Sequence, residues 1–168
     1  MEKRIFVFSK LRQWDIATLI LYLILTIYIH LTFTNNKLPD YAKGLIFGYI
    51  FGTMVFNYMF NYKSLRNMTV FVIWIVFGIY HLWLSKQIES VQAIYFDTSP
   101  ITNGLKYSIL ILIIQQIIRF SYIKLTSMEI VAPVKGGGPD LFDNRYTNFF
   151  DHGFFVLYMI IIILIWFI

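Results

Sequence analysis

Cysteine is absent from the 168 residues, and charge is scarce, with Asp, Glu, Lys and Arg together making up 14% of positions. The first absence excludes disulfides, thiol catalysis and cysteine-ligated metals or iron–sulfur clusters within the chain. The second leaves too little charge to solvate a globular surface, for which about 25% is usual. Long polar segments are few as well. Only 85–106 and 124–152 separate apolar runs by any distance, and neither holds enough apolar residues to bury an independent core. No internal repeat is visible, and no catalytic, cofactor or transport motif rises above a weak match.

What the chain does contain is apolar: 58% hydrophobic and 20% aromatic residues, with a mean hydropathy of +0.66. Five apolar stretches, 16–33, 44–62, 68–84, 107–123 and 153–168, approach or reach the roughly 17–25 residues that a helix needs to cross a bilayer. The expected fold is an all-α integral membrane protein, one membrane domain over 1–168 built as a small bundle of about five transmembrane helices. The fifth stretch is the shortest and ends on aromatic Trp166 and Phe167, which suit a headgroup region.

The net charge of +5 does not imply nucleic acid, because the basic residues lie at the ends of apolar runs, where they anchor helices in the lipid bilayer. The leader 1–14 is basic, yet the apolar run behind it is longer than a signal-peptide core and ends in Thr34-Asn35-Asn36 without a small-residue cleavage site, so an uncleaved first span is expected. Its Ile5, Phe6, Phe8 and Leu11 among basic residues suit a segment lying on the membrane surface. With the N-terminus cytoplasmic, the inner segments hold Lys3, Arg4, Lys10, Arg12, Lys63, Arg66, Arg119, Lys124, Lys135 and Arg145. The outer ones hold only Lys37, Lys43, Lys86 and Lys106. The positive-inside bias therefore puts the N-terminus and the loop 124–152 in the cytoplasm and the C-terminus outside. The sequon at Asn67 then falls on the inner side and reads as chance.

Lipid tails are as apolar as leucine, so membrane helices associate through small residues and interhelical hydrogen bonds. Asp15, Thr18, Tyr22, Thr26 and His30 recur at steps of three or four on one face of the first span. Gly44, Gly48 and Gly52 form a doubled small-xxx-small ridge on the second, beside a stripe of Tyr49, Thr53, Asn57 and Asn61. The fourth carries Ser108, Gln115, Arg119 and Tyr122, with Gln116 adjoining. These are the expected helix-packing or partner-facing residues. Asp15 and Arg119 fall at similar depth and are a candidate ion pair, against the plainer alternative that Asp15 caps a helix start and Arg119 reaches the interface alone. His30 and His81, near the outer ends of their spans, are a candidate haem or divalent-metal pair; ordinary interfacial hydrogen bonding is the alternative, and no cofactor is expected.

In the loops, Ile88, Val91 and Ile94 suggest a short amphipathic helix broken before Pro100. Gly136 to Gly138, between Pro133 and Pro139, predicts an exposed turn ahead of a helix starting near Asp140; the order is not that of a P-loop. Asp140, Asp143 and Arg145, with Asn144 and Lys135 near, are candidates for holding a divalent ion and a diphosphate, similar to one partial copy of the aspartate-rich motifs of membrane prenyltransferases. The alternative is a helix cap and a solvated or partner-facing surface, with Asp151-His152 as an interface anchor.

The leading expectation is a non-catalytic polytopic subunit or accessory of a larger membrane assembly, with other membrane subunits as partners. A lipid-phosphate or isoprenoid-phosphate enzyme and a small oligomeric transporter are the alternatives. Richness in Ile, Phe, Tyr, Asn and Lys suits an A+T-rich genome and a bacterial inner membrane.

Overall fold

The computed structural model describes residues 6–34, 42–92, 99–133 and 145–166. Six helices make up most of them: α1 (Gln13–Thr34), α2 (Ala42–Met59), α3 (Met68–Gln92), α4 (Ser99–Lys106), α5 (Ser108–Thr126) and α6 (Phe149–Trp166), with a 3-10 turn at Ser64–Arg66. Among the described residues there is no strand, and Val7 and Asn67 form an isolated bridge. This is a helical bundle, and four of its helices, over Gln13–Phe33, Met68–Glu89, Ser108–Thr126 and Phe149–Trp166, are long and apolar enough to cross a membrane. The apolar part of α2, Gly44–Met59, is shorter. At 1.5 Å per residue it covers about 24 Å, against a hydrocarbon core of about 30 Å.

Two boundaries differ from the sequence reading. The third span continues through Ser85 to Gln92, well past the expected end at Leu84. Ser85 returns its hydroxyl proton to the Leu82 carbonyl at 2.8 Å, so its polarity is absorbed by the helix itself. Ile88 and Val91 therefore belong to α3 and not to a separate surface helix; Ile94 lies outside the described residues. No helix was expected between Pro100 and Tyr107, yet α4 begins at Ser99 with Pro100 next to it. The proline sits in the first turn of α4, where a missing N–H costs nothing. α4 then bends into α5 at Tyr107, whose neighbours keep hydrogen bonds across the joint, Tyr107 N to Asn103 O and Ile111 N to Tyr107 O, both 2.9 Å.

Successive long helices run up and down. One end of the bundle gathers Arg12, Ser64, Asn67, Arg119 and Asp151; the other gathers Phe47, Gly104 and Trp166. The buried core between them is aromatic and aliphatic, with Trp74, Tyr122, Tyr158 and Ile29 among its fully buried members and the Tyr58 and Tyr158 rings stacked at 4.4 Å. Many large apolar side chains face outward instead, such as Leu21, Ile24, Ile117 and Leu164, as a lipid-facing surface requires.

Close helix approaches use glycines that the sequence pattern did not mark. A Cβ on Gly78 would lie 2.5 Å from Ile109 Cγ1, so α3 and α5 touch there. One on Gly104 would lie 2.8 Å from the Trp166 ring and 2.9 Å from Ile50, which seats α4 on α6 and α2. The expected ridge of Gly44, Gly48 and Gly52 behaves differently: all three are exposed, and no atom of the described residues lies within 4 Å of where their Cβ atoms would be.

Candidate functional site

Three helices begin at the same end of the bundle, and at each start a side chain accepts a backbone N–H. At α1, Asp15 Oδ2 accepts the Arg12 backbone N–H at 2.8 Å while Oδ1 takes the Arg12 guanidinium at 2.8 Å. At α3, Asn67 Oδ1 accepts the N–H of Thr69 at 3.1 Å. At α6, Asn148 and Asp151 close a reciprocal box: Asp151 N donates to Asn148 Oδ1 at 2.9 Å and Asn148 N to Asp151 Oδ2 at 2.8 Å. Carboxylates in a first turn also meet the positive end of the helix dipole.

Around these caps the arginines are held in place. Arg12 reaches Ser64 Oγ at 2.9 Å, tying the start of α1 to the turn between α2 and α3. Residues 6–12 are extended and pinned there by Val7 N to Arg66 O at 3.0 Å and Met68 N to Val7 O at 3.1 Å, and by the Asn67 amide on the Ser9 carbonyl. Arg119 holds Glu129 through two parallel hydrogen bonds of 2.9 and 2.8 Å, and Arg66 approaches the same carboxylate at 3.6 Å. Arg145 donates to Asp151 at 2.7 Å, to the Glu129 carbonyl at 2.9 Å and to Tyr122 at 3.2 Å. Burial opposes the charge of Arg145, but its hydrogen bond to Asp151 and that carboxylate's charge outweigh the penalty, so its pKa is raised. A raised pKa means that, while its carboxylate partner is ionised, the stabilisation from this arginine is fully present below the free-arginine range and is lost only as pH rises above it.

The exposed turn expected at Gly136 to Gly138 lies outside the described residues, and the chain that leads toward it after α5 is packed inward. Ile130, Val131 and Ala132 are buried, Val131 and Ala132 against Tyr62, and the Val131 N–H donates to Asp151 Oδ1. Asp140 and Asp143, the expected metal and diphosphate ligands, lie outside the described residues, as does the helix start expected near Asp140. Arg145, their third member, is committed to Asp151 and two oxygens of its own chain. Asp15 and Arg119 do not form the candidate pair; they take Arg12 and Glu129 instead, so the capping alternative describes Asp15.

A second polar cluster lies deep in the bundle. Tyr22 Oη and Tyr49 Oη both stand 2.9 Å from His81 Nε2, the two phenol rings stack at 5.3 Å, and Tyr49 Oη is 2.7 Å from Thr26 Oγ1. The α1 stripe thus turns inward: Asp15, Thr18, Tyr22 and Thr26 are all buried against the chain's own helices. His30 is separate, hydrogen-bonded through Nδ1 to Tyr80 at 2.8 Å and stacked on Trp83 at 5.7 Å. The two histidines do not share a site, since His81 Nε2 serves two phenols and the cavity that His81 borders is about 20 Å³, far too small for a porphyrin. Among the described residues no group of three His, Cys, Asp or Glu side chains gathers to hold a metal ion.

That cavity is bordered by Thr53, Asn57, Trp74, His81, Ser108 and Gln115 among others, from α2, α3 and α5. Gln115 donates through Nε2 to the Asn57 carbonyl at 3.0 Å, while its neighbour Gln116 faces the Leu65 carbonyl at 3.4 Å. A third feature is a surface groove of about 230 Å³ between α1 and α2, with Gly48 and Gly52 in its lining beside Leu21, Leu25 and Phe56. Sequence reasoning missed Glu129, Asn148 and Trp74. An Asn three residues before an Asp at the start of an apolar run is a capping signal that could have found Asn148; nothing local marks the other two.

No protein-family model, no curated protein and no solved structure shows a significant match to the chain.

Proposed function

We propose that the protein is a non-catalytic polytopic subunit of a larger membrane assembly, docked to a transmembrane helix of another subunit along the α2 ridge. The observation that supports this is the open line of Gly44, Gly48 and Gly52, where no atom of the described residues comes within 4 Å of a Cβ position, with Gly48 and Gly52 on the wall of the α1–α2 groove. A small-residue ridge lets a second helix approach closely, and close packing is what drives association in lipid. Asp15, Thr18, Tyr22 and Thr26 of α1 and Arg119 of α5 are buried inside the chain, and the ion-paired end of the bundle is suited to hold a docking face in register. In this reading the arginine-rich end and the N-terminus are cytoplasmic, α2 crosses as a fifth span, and the C-terminus is outside, in a bacterial inner membrane.

The test separates docking from folding. Because none of the described residues occupies the space over Gly48, Gly48→Leu should leave helix content and thermal stability unchanged within about 0.5 kcal/mol. The same variant, purified in mild detergent, should lose its co-purifying subunit and fall to the mass of a monomer. A complex of unchanged mass would overturn the docking face; a monomer already in the unsubstituted protein would overturn the subunit reading.

A further inference from the structure

His81, Trp74 and Gln115 are 3%, 2% and 5% exposed, and all three border the cavity between α2, α3 and α5. Each presents one buried polar atom that has no hydrogen-bond partner among the described residues: His81 Nδ1, Trp74 Nε1 and Gln115 Oε1. At membrane depth an unsatisfied polar atom is costly, and three around one cavity point to a common partner.

The hydrogen-bond pattern fixes what each atom needs. Thr26 Oγ1 lies 2.7 Å from the Tyr22 carbonyl, which can only accept, so the one proton of Thr26 goes there. The 2.7 Å contact between Thr26 and Tyr49 then takes its proton from Tyr49. With that proton committed, the 2.9 Å contact between Tyr49 and His81 Nε2 must be made by a ring N–H, which the Tyr22 oxygen shares from 2.9 Å. The opposite tautomer would leave the Tyr49 oxygen and Nε2 facing each other at that distance with no proton between them. His81 therefore carries its proton on Nε2, and Nδ1 is a bare lone pair. Gln115 is oriented by its Nε2 bond to the Asn57 carbonyl, so its free atom is the amide oxygen. Trp74 Nε1–H is a donor only. The cavity is thus bordered by two unmet acceptors and one unmet donor.

We propose that this cavity is a binding site for a single water molecule, which accepts the Trp74 indole N–H and donates its two protons to His81 Nδ1 and Gln115 Oε1. A hydroxyl group has one proton to give and would leave one acceptor unmet. The volume of about 20 Å³ admits one water, for which about 10–15 Å³ suffices, and not a larger ligand. Three bonds to otherwise unmet groups are what buried waters typically make. The molecule bridges α3 to α5 at the level where Gly78 brings these helices into contact.

Solid-state NMR of the ¹⁵N-labelled protein in bilayers tests this directly. The expected spectrum assigns His81 a protonated Nε2 and an unprotonated, hydrogen-bonded Nδ1, with magnetisation passing from water to the Trp74 indole N–H. A His81 protonated on Nδ1, or no transfer to Trp74, would overturn the site. Gln115→Leu removes one acceptor and should weaken the water-to-Trp74 transfer by about twofold or more; unchanged transfer would equally overturn it. Should that variant fail to fold, the tautomer and transfer in the unsubstituted protein decide alone.

Discussion

The arginine-rich end and the His81 layer are both polar and largely buried, yet they are built from different groups and completed to different degrees. At the end, charges meet charges: Asp15 with Arg12, Glu129 with Arg119, Asp151 with Arg145, each carboxylate also accepting N–H donors or lying beside a second arginine. In the layer there is no ion, only two phenols, an imidazole, a hydroxyl and amides, and three atoms are left over. Charge is affordable where headgroups and water are within reach, and expensive at mid-membrane, where neutral donors and acceptors replace it. The end therefore settles its carboxylates on arginines of the same chain, whereas the layer leaves three neutral atoms around a cavity that fits one small molecule.

Removing a charge from the ion-paired end should have the largest effect. Asp151→Ala leaves Arg145, the Asn148 N–H and the Val131 N–H without their acceptor, and an expected loss of about 3 kcal/mol follows from stranding a buried donor set and charge. Thermal or steric-trap unfolding in detergent measures it, and a loss under about 1 kcal/mol would erase the distinction between the two regions. His81→Phe attacks the neutral layer. It should cost less, about 1–2 kcal/mol by the same assay, because intramembrane hydrogen bonds are individually modest. A cost above that of Asp151→Ala would reverse the ranking. The smallest effect is expected at the exposed Lys106–Glu89 pair, 38% exposed on both sides, where Lys106→Ala should change stability by less than about 0.5 kcal/mol.

Much of this was legible in the chain, for reasons tied to particular residues. The inward stripe of Asp15, Thr18, Tyr22 and Thr26 follows from helical period alone, since in lipid a polar face has nowhere to turn but protein. Asp15 as a cap was legible too, because its position relative to the basic leader fixes the geometry locally. The Asp15–Arg119 pair failed because matching depth says nothing about azimuth, and each residue had a partner nearer in sequence. Gly44, Gly48 and Gly52 were expected to pack or to face a partner; among the described residues nothing packs on them, while Gly78 and Gly104, with no pattern around them, sit at the tight crossings.

The sequence by itself determined the solvent, the helical class and most of the helix positions, because length, apolarity and period are local properties that a bilayer reads directly. Only the tertiary structure decided which glycines touch, which carboxylate meets which arginine, and that His81, Trp74 and Gln115 border one cavity. These depend on the rotation of each helix about its axis relative to the others. A one-dimensional pattern gives every helix its face, but the pairing of faces is settled by packing between segments far apart in the chain.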